Sequence, residues 1–312
     1  MQLIDAIENG QTAFGTPDRV IETVLAKLFF FGDRVIKVYK TRGQEATDAT
    51  FRKRFYNEDF TWNNIAAPHV YTHLHGFDED HISSHPHAAH DWAIEMKNID
   101  TSSNLTRILP SGSINQEKIS AIAYAIVEKL EHLTREKRDS LSNIFERSYV
   151  DLRIQSLKDL DAWLSELRTD ISDDVRSRAI QRLTQTVLND PYFKEFTSDD
   201  YRVAKDTNSD NILWLDGKPS FIDIMPPNEH WRVNDPHFAL IRTAVDARVL
   251  GNESLEKSVH EARERSYGTI PVHIVEAYAL HGALIQWAYR LMLGQRDIAK
   301  KYGAYVSRKL KE

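Results

Sequence analysis

The 312-residue chain has no cysteine, which removes disulfide scaffolds, thiolate zinc sites, iron–sulfur clusters and thiol catalysis in one step. Glycine is scarce, at 12 residues, and scattered. Neither G-x-G-x-x-G nor G-x-x-x-x-G-K-[ST] occurs, so no Rossmann dinucleotide site and no Walker P-loop is written here. Any nucleotide held by this chain is held another way. A basic surplus is missing too: 46 acidic residues face 40 basic ones, the wrong balance for a general nucleic-acid binder. The longest apolar run centres on Leu28-Phe29-Phe30-Phe31, far below the ~20 residues a membrane-spanning helix needs. The opening MQLIDAIENGQTAFG has no basic segment ahead of an apolar one, so no signal peptide is read. These absences lead to the expectation of a soluble, cytoplasmic protein with no nucleic-acid or membrane partner. Its length suits one large domain or two unequal ones.

The first hundred residues read as strands with one helix. Val24 to Phe31, a Gly32-Asp33 turn and Arg34 to Tyr39 form a hairpin pattern. Within RVIKVY, Val35 and Lys37 share one face, Ile36 and Val38 the other. Residues 47–66 space Phe51, Phe55, Phe60 and Trp62 as a helix that stops before Pro68. HVYTHLHGF and HDWAIEMKNI read as two further strands flanking a polar tip. From about residue 115 the period becomes helical, clearest in ISAIAYAIVEKLEHLTREKR, LKDLDAWLSELRTDI, VRSRAIQRLTQTVL and VHIVEAYALHGALIQWAYRLML. A β island interrupts the helices: YRVAKD, then ILWL and PSFIDI around an Asp216-Gly217 turn.

At the mouth of that island, Asp206 to Asn211 spell D-x-x-x-x-N, and Asp223 stands on the return strand. Phosphoryl transfer uses such parts at about this spacing. One carboxylate orients the attacking hydroxyl, while an amide oxygen and a second carboxylate hold Mg²⁺ against the phosphates. Alone, the spacing serves equally for a loop Asp and Asn that cap turns. Val35-Ile36-Lys37 supplies an independent match, a lysine on an apolar strand where a kinase contacts the nucleotide phosphates. Glu58, on the following helix, is its expected partner. Lys40 lies on the opposite face of the strand, and Lys37 is preferred because apolar residues flank it.

With these residues in place, the chain resembles the aminoglycoside-phosphotransferase-like family of small-molecule kinases over nearly its whole length. FFFGDRVIKVYK, RKRFYNEDFTWNNIAAPHVY, NILWLDGKPSFIDIMPPN and WRVNDPHFALIRTAVDARVLGN resemble, in order, four of its segments. The resemblance implies an α+β, two-lobed protein-kinase-like fold, with a small β-rich nucleotide-binding lobe over 1–97 and a larger helical catalytic and acceptor lobe over 98–312. It implies ATP and Mg²⁺ as cofactors and transfer to a hydroxyl of a small-molecule acceptor. Asp206 would orient the acceptor, Asn211 and Asp223 hold the metal, and Lys37 and Glu58 serve the phosphates. The backbone at Glu95 and Met96 would contact adenine. The pattern departs from the family at Ala204-Lys205, where a His-Gly pair is usual, at Thr23-Val24-Leu25-Ala26 and at Pro226. Those departures keep two alternatives open: a kinase-fold binding or regulatory protein, and an enzyme that modifies a protein partner.

Seven histidines lie between His69 and His90; His81, His85, His87 and His90 invite a metal reading, against the commoner one of a polar loop at a hairpin tip. Asp199, Asp200 and Asp210 could receive a cationic substrate or form solvated turns.

Overall fold

The hydrophobic stretch from Ala26 to Tyr39 breaks at Gly32-Asp33, and the chain reverses there. In this computed structural model, β2 (Ala26–Phe31) pairs antiparallel with β3 (Arg34–Tyr39), Phe31 standing opposite Arg34. Gly32 has a φ of +59°, the left-handed first position of a type II′ turn, which matches the twist of the strands. The structure describes residues 3–23, 25–40, 48–78, 81–82, 89–112, 114–167, 170–203, 207–226 and 228–311. Val24, Ala204 to Asp206, His85 and His87 lie outside them. The chain divides into two units, Met1–Thr101 and Ser102–Glu312, against 97/98 expected from the sequence.

In the first unit, β1 (Arg19–Glu22), β4 (Tyr71–Asp78), β5 (His81–Ile82) and β6 (Asp91–Lys97) join the hairpin. The result is one antiparallel sheet in the order β1-β2-β3-β6-β4-β5. Alternation gives it two apolar faces. On one, α1 (Leu3–Glu8) sets Leu3 and Ile7 against Phe29, Ile36, Val38, Phe77 and Ala93. On the other lies α2 (Ala49–Ala66), begun by Asp48, whose carboxylate accepts the Thr50 and Phe51 amides. Its buried residues, Tyr56, Asp59, Trp62, Asn63 and Ala66, recur at helical spacing, and one of them is an acid.

The second unit is mostly helical. α4 (Gln116–Lys137) buries Ile119, Ile122, Ala123, Ile126, Leu130 and Leu133 along one stripe. α6 (Tyr149–Glu166), α7 (Asp173–Asn189), α9 (Pro236–Val249), α10 (Glu253–Tyr267), α11 (Val272–Met292) and α12 (Arg296–Lys309) complete the main set. α3 (Leu105–Ile108), α5 (Ser142–Phe145) and α8 (Pro191–Lys194) are single turns. The expected hairpin is present: β8 (Ile212–Leu215) and β9 (Lys218–Phe221) turn through Asp216, at φ +49°, and Gly217, at φ +77°. Two positive φ values are what a type I′ turn requires. β7 (Arg202–Val203) pairs with β10 (Val233–Asn234), a short contact across thirty residues of chain. Among the described residues, no helix is long and apolar enough to cross a membrane.

One buried side chain in α11 makes acid stability testable. His281 is 5% exposed, packs on the Phe238 ring, and its Nε2 has no hydrogen-bond partner among the described residues. Burial, aided by Arg153 and Arg242, lowers its pKa to about 3. A depressed folded pKa gives stability that is full above the imidazole's ordinary ~6.5 and lost as pH falls toward 3. The expected slope is about 1.4 kcal/mol per pH unit, hence a loss of about 2 kcal/mol between pH 7 and pH 5. His281→Leu should flatten urea-unfolding stability over that range by this amount. An identical slope in both proteins would refute the assignment.

Candidate active site

Among the described residues of the first unit, Lys37 is a buried cation, 5% exposed on the α2 side of β3. A buried ammonium persists only beside an opposite charge, and the structure supplies one. Asp59 Oδ2 lies 3.2 Å from Lys37 Nζ and accepts the Tyr39 hydroxyl at 2.7 Å. Its Oδ1 accepts Asn63 Nδ2 at 2.7 Å, so both oxygens are engaged. Lys37 Nζ also sits 4.7 Å from the Tyr39 ring centroid. The carboxylate against Lys37 is therefore Asp59, not the expected Glu58. A helix turns 100° per residue, and position 59, rather than 58, falls in the stripe of Tyr56, Trp62, Asn63 and Ala66. Lys40, the other lysine considered, pairs with Glu22 at 2.9 Å.

Glu95 and Met96 stand inside the sheet rather than past its end. Glu95 is opposite Ile36 on one side and His73 on the other; Met96 is opposite Val35 and Tyr71. Their backbone groups belong to the strand ladder, so a backbone contact to a base at these two positions is not supported. The chain leaves the ladder only after Lys97, whose amide bonds Val70, and Asn98, whose amide bonds Asp33.

In the second unit, Asp206 lies outside the described residues, but the loop it opens is described from Thr207. That loop is unusually polar for its burial: Thr207, Asn208, Ser209 and Asn211 are all 7% exposed or less. Each of these residues makes hydrogen bonds within the protein, as burial demands. Thr207 Oγ1 donates to Ala239 O, and Asn208 Oδ1 accepts the Asp210 and Asn211 amides in an Asx turn. The Ser209 amide donates at 2.8 Å to Asp246 Oδ2 on α9. Asp246 also accepts the Tyr302 hydroxyl at 2.7 Å, and its burial raises its pKa. Arg290, fully buried on α11, donates to Asp210 and Gln295 through Nη1 and to Thr106 and Ser209 through Nη2. Two helices thus bond to the loop.

The loop's last residue, Asn211, donates through Nδ2 to the Asp223 carbonyl at 3.0 Å, and its own carbonyl accepts the Ile222 amide. This brings Asn211 and Asp223 together across the hairpin. Asp223 has a φ of +49°, a left-handed conformation that aspartate tolerates better than most non-glycine residues. The chain beyond is fastened to α6, where Asp159 Oδ2 accepts Asn228 Nδ2, His230 Nε2 and Trp231 Nε1. Asp59, Asp159, Asp246 and Arg290 were not among the expected site residues. The three acids considered for cation reception have partners: Asp199 pairs with Arg138, Asp200 accepts from Thr197, and Asp210 pairs with Arg290.

No family model matches this sequence, and no curated protein matches it. Solved structures do. Wild-type aminoglycoside 2'-phosphotransferase-IIIa, in its GDP complex, is similar with a TM-score of 0.55 at 13% identity, over 99% of this chain and 97% of that one. A thermostable mutant of aminoglycoside phosphotransferase APH(4)-Ia, in a ternary complex with AMP-PNP and hygromycin B, is similar with a TM-score of 0.52 at 14% identity, over 96% and 95%. A choline/ethanolamine kinase family protein from Mesorhizobium loti is similar with a TM-score of 0.51 at 11% identity, over 100% and 96%. The fold is the α+β, two-lobed kinase-like one that the sequence resemblance implied.

Proposed function

We propose that this chain is an ATP- and Mg²⁺-dependent phosphotransferase acting on a hydroxyl of a small molecule. The observation that carries the reading is the hydrogen bond from Asn211 to the Asp223 carbonyl, with Asp223 held in a left-handed conformation. It joins the two halves of the metal-binding pattern in one hairpin. The donor set fits a hard cation: a carboxylate and an amide oxygen are the ligands Mg²⁺ prefers. Spending Asn211 Nδ2 on the backbone turns its oxygen, the ligating end, the other way. The ion would supply charge neutralisation at the phosphates.

The protein's own residues do the rest by position and charge. Lys37, steadied by Asp59, would contact the phosphates. Asp206 would accept the proton of the attacking hydroxyl or orient it, with Asp246 and Arg290 bonded to the adjoining loop. The similar proteins were crystallised with AMP-PNP, ADP or GDP, so both purine nucleotides belong in the test.

Thermal shift with ATP or GTP, with and without Mg²⁺, followed by substrate-free hydrolysis, tests the reading. Mg²⁺-dependent stabilisation is expected, and Asp223→Ala should lower Mg-nucleotide affinity by about tenfold or more. Stabilisation indifferent to Mg²⁺, with no hydrolysis, would instead favour a kinase-fold binding or regulatory protein. The replacement of His-Gly by Ala204-Lys205 is the specific feature on that side.

A further inference from the structure

Among the described residues, the fold brings two histidines, His73 and His75, together with a carboxylate. His73 and His75 are two apart on β4, so the pleat sends both rings to one face of the sheet. Register places His73 directly opposite Glu95 of β6. His75 Nε2 lies 2.9 Å from Glu95 Oε2, and His73 Nδ1 lies 3.6 Å from Glu95 Oε1. The two rings stack with centroids 5.8 Å apart. One atom from each of the three side chains falls within 4.8 Å of the others. We propose that His73, His75 and Glu95 form a binding site for a divalent transition cation of the zinc class.

Bond lengths agree with this assignment. Ligands at about 2.0–2.2 Å from a tetrahedral Zn²⁺ are about 3.3 Å apart. The 2.9 and 3.6 Å separations, made to different oxygens of Glu95, are near that value, and one ligand atom from each residue lies within 4.8 Å of the others. Two imidazoles and one carboxylate select a borderline cation over Mg²⁺ or Ca²⁺, which favour all-oxygen sets. Access is graded: the Glu95 side chain is 11% exposed, His75 19% and His73 67%, so the carboxylate forms a sheltered floor beneath an open ligand. Phe14 meets the His75 ring edge-on at 5.4 Å and fixes its orientation. Three protein ligands leave a coordination position for water or a small ligand. Glu95 is opposite Ile36, not Lys37, so the site lies on the sheet face away from the Lys37–Asp59 pair. It stands independently of the phosphotransferase reading.

The test uses the full chain, stripped with a chelator and dialysed, then titrated with Zn²⁺ by calorimetry and with Co²⁺ by visible absorption. One equivalent is expected, bound below about 1 µM. His73→Ala removes an exposed ligand and spares the core; it should weaken Zn²⁺ binding by at least about tenfold and alter the Co²⁺ spectrum. Glu95→Gln should do the same, and if that variant does not fold, His73→Ala decides alone. A His85→Ala/His87→Ala double variant should bind as the parent does. Unchanged affinity and spectrum in His73→Ala overturn the site. So does binding lost only in the His85→Ala/His87→Ala protein, or none tighter than about 10 µM in the parent.

Discussion

Alanine at position 206 is expected to lower kcat by about 10²- to 10⁴-fold while the nucleotide KM moves no more than about twofold. The split follows from the role. A carboxylate that orients or deprotonates the acceptor hydroxyl acts on the transition state and touches no part of the bound nucleotide. The neighbouring backbone makes the experiment clean, because Thr207 is buried and donates to Ala239, while Ser209 is bonded to Asp246. Removing one side chain just before this anchored stretch leaves the stretch in place. Steady-state kinetics on any accepted hydroxyl compound, or basal hydrolysis if none is found, provides the readout. Wild-type kcat in Asp206→Ala would remove that residue from the chemistry and with it the proposed reaction.

The second large effect concerns stability. Asp59→Ala removes the carboxylate that lies against the Lys37 ammonium, which is 5% exposed, and takes an acceptor from the Tyr39 hydroxyl. Breaking a buried pair from one side costs about 3–5 kcal/mol, because the desolvated charge that remains loses a close opposite charge. Glu58→Ala, at a half-buried position on the neighbouring face, should cost less than Asp59→Ala. Replacing both partners with apolar groups, Lys37→Met with Asp59→Leu, should restore most of the loss, since the desolvation penalty goes with the charges. Urea unfolding of the four proteins checks this order. A larger cost at Glu58 than at Asp59 would reverse the pairing.

Local signals carried much of the fold. Gly32-Asp33 and Asp216-Gly217 mark turns chemically, and the apolar residues around them alternate, so both hairpins were legible. The long helices showed in their apolar period, as in Ile119, Ile122, Ile126, Leu130 and Leu133. What stayed hidden was pairing between distant segments. Val203 opposite Val233 is a bridge that nothing within either short strand announces. The Lys37 partner is hidden for a different reason: Glu58 and Asp59 are adjacent acids on one helix, and only the helical stripe of buried residues, which includes Asp59, tells them apart. Likewise His73 and His75 declare a shared face by their spacing, but Glu95 joins them only through register across to β6. Arg290 and Asp246 looked like ordinary charges on apolar helices until the loop they hold was in view.

The left-handed backbone at Asp223 has a consequence for how this chain can change over time. At a φ of +49°, glycine, asparagine and aspartate rest with little penalty, and other residues pay about 1–2 kcal/mol. In the proposed metal site this position supplies the charged ligand, and the conformation admits only the shorter of the two acids at low cost. Glutamate keeps the charge and strains the backbone; glycine relaxes the backbone and abandons the charge. Descendants that keep the chemistry are thereby held to aspartate, while those that drift toward a purely binding role have their easiest exits at asparagine and glycine. The substitution found at this one position would record which path a related chain had taken.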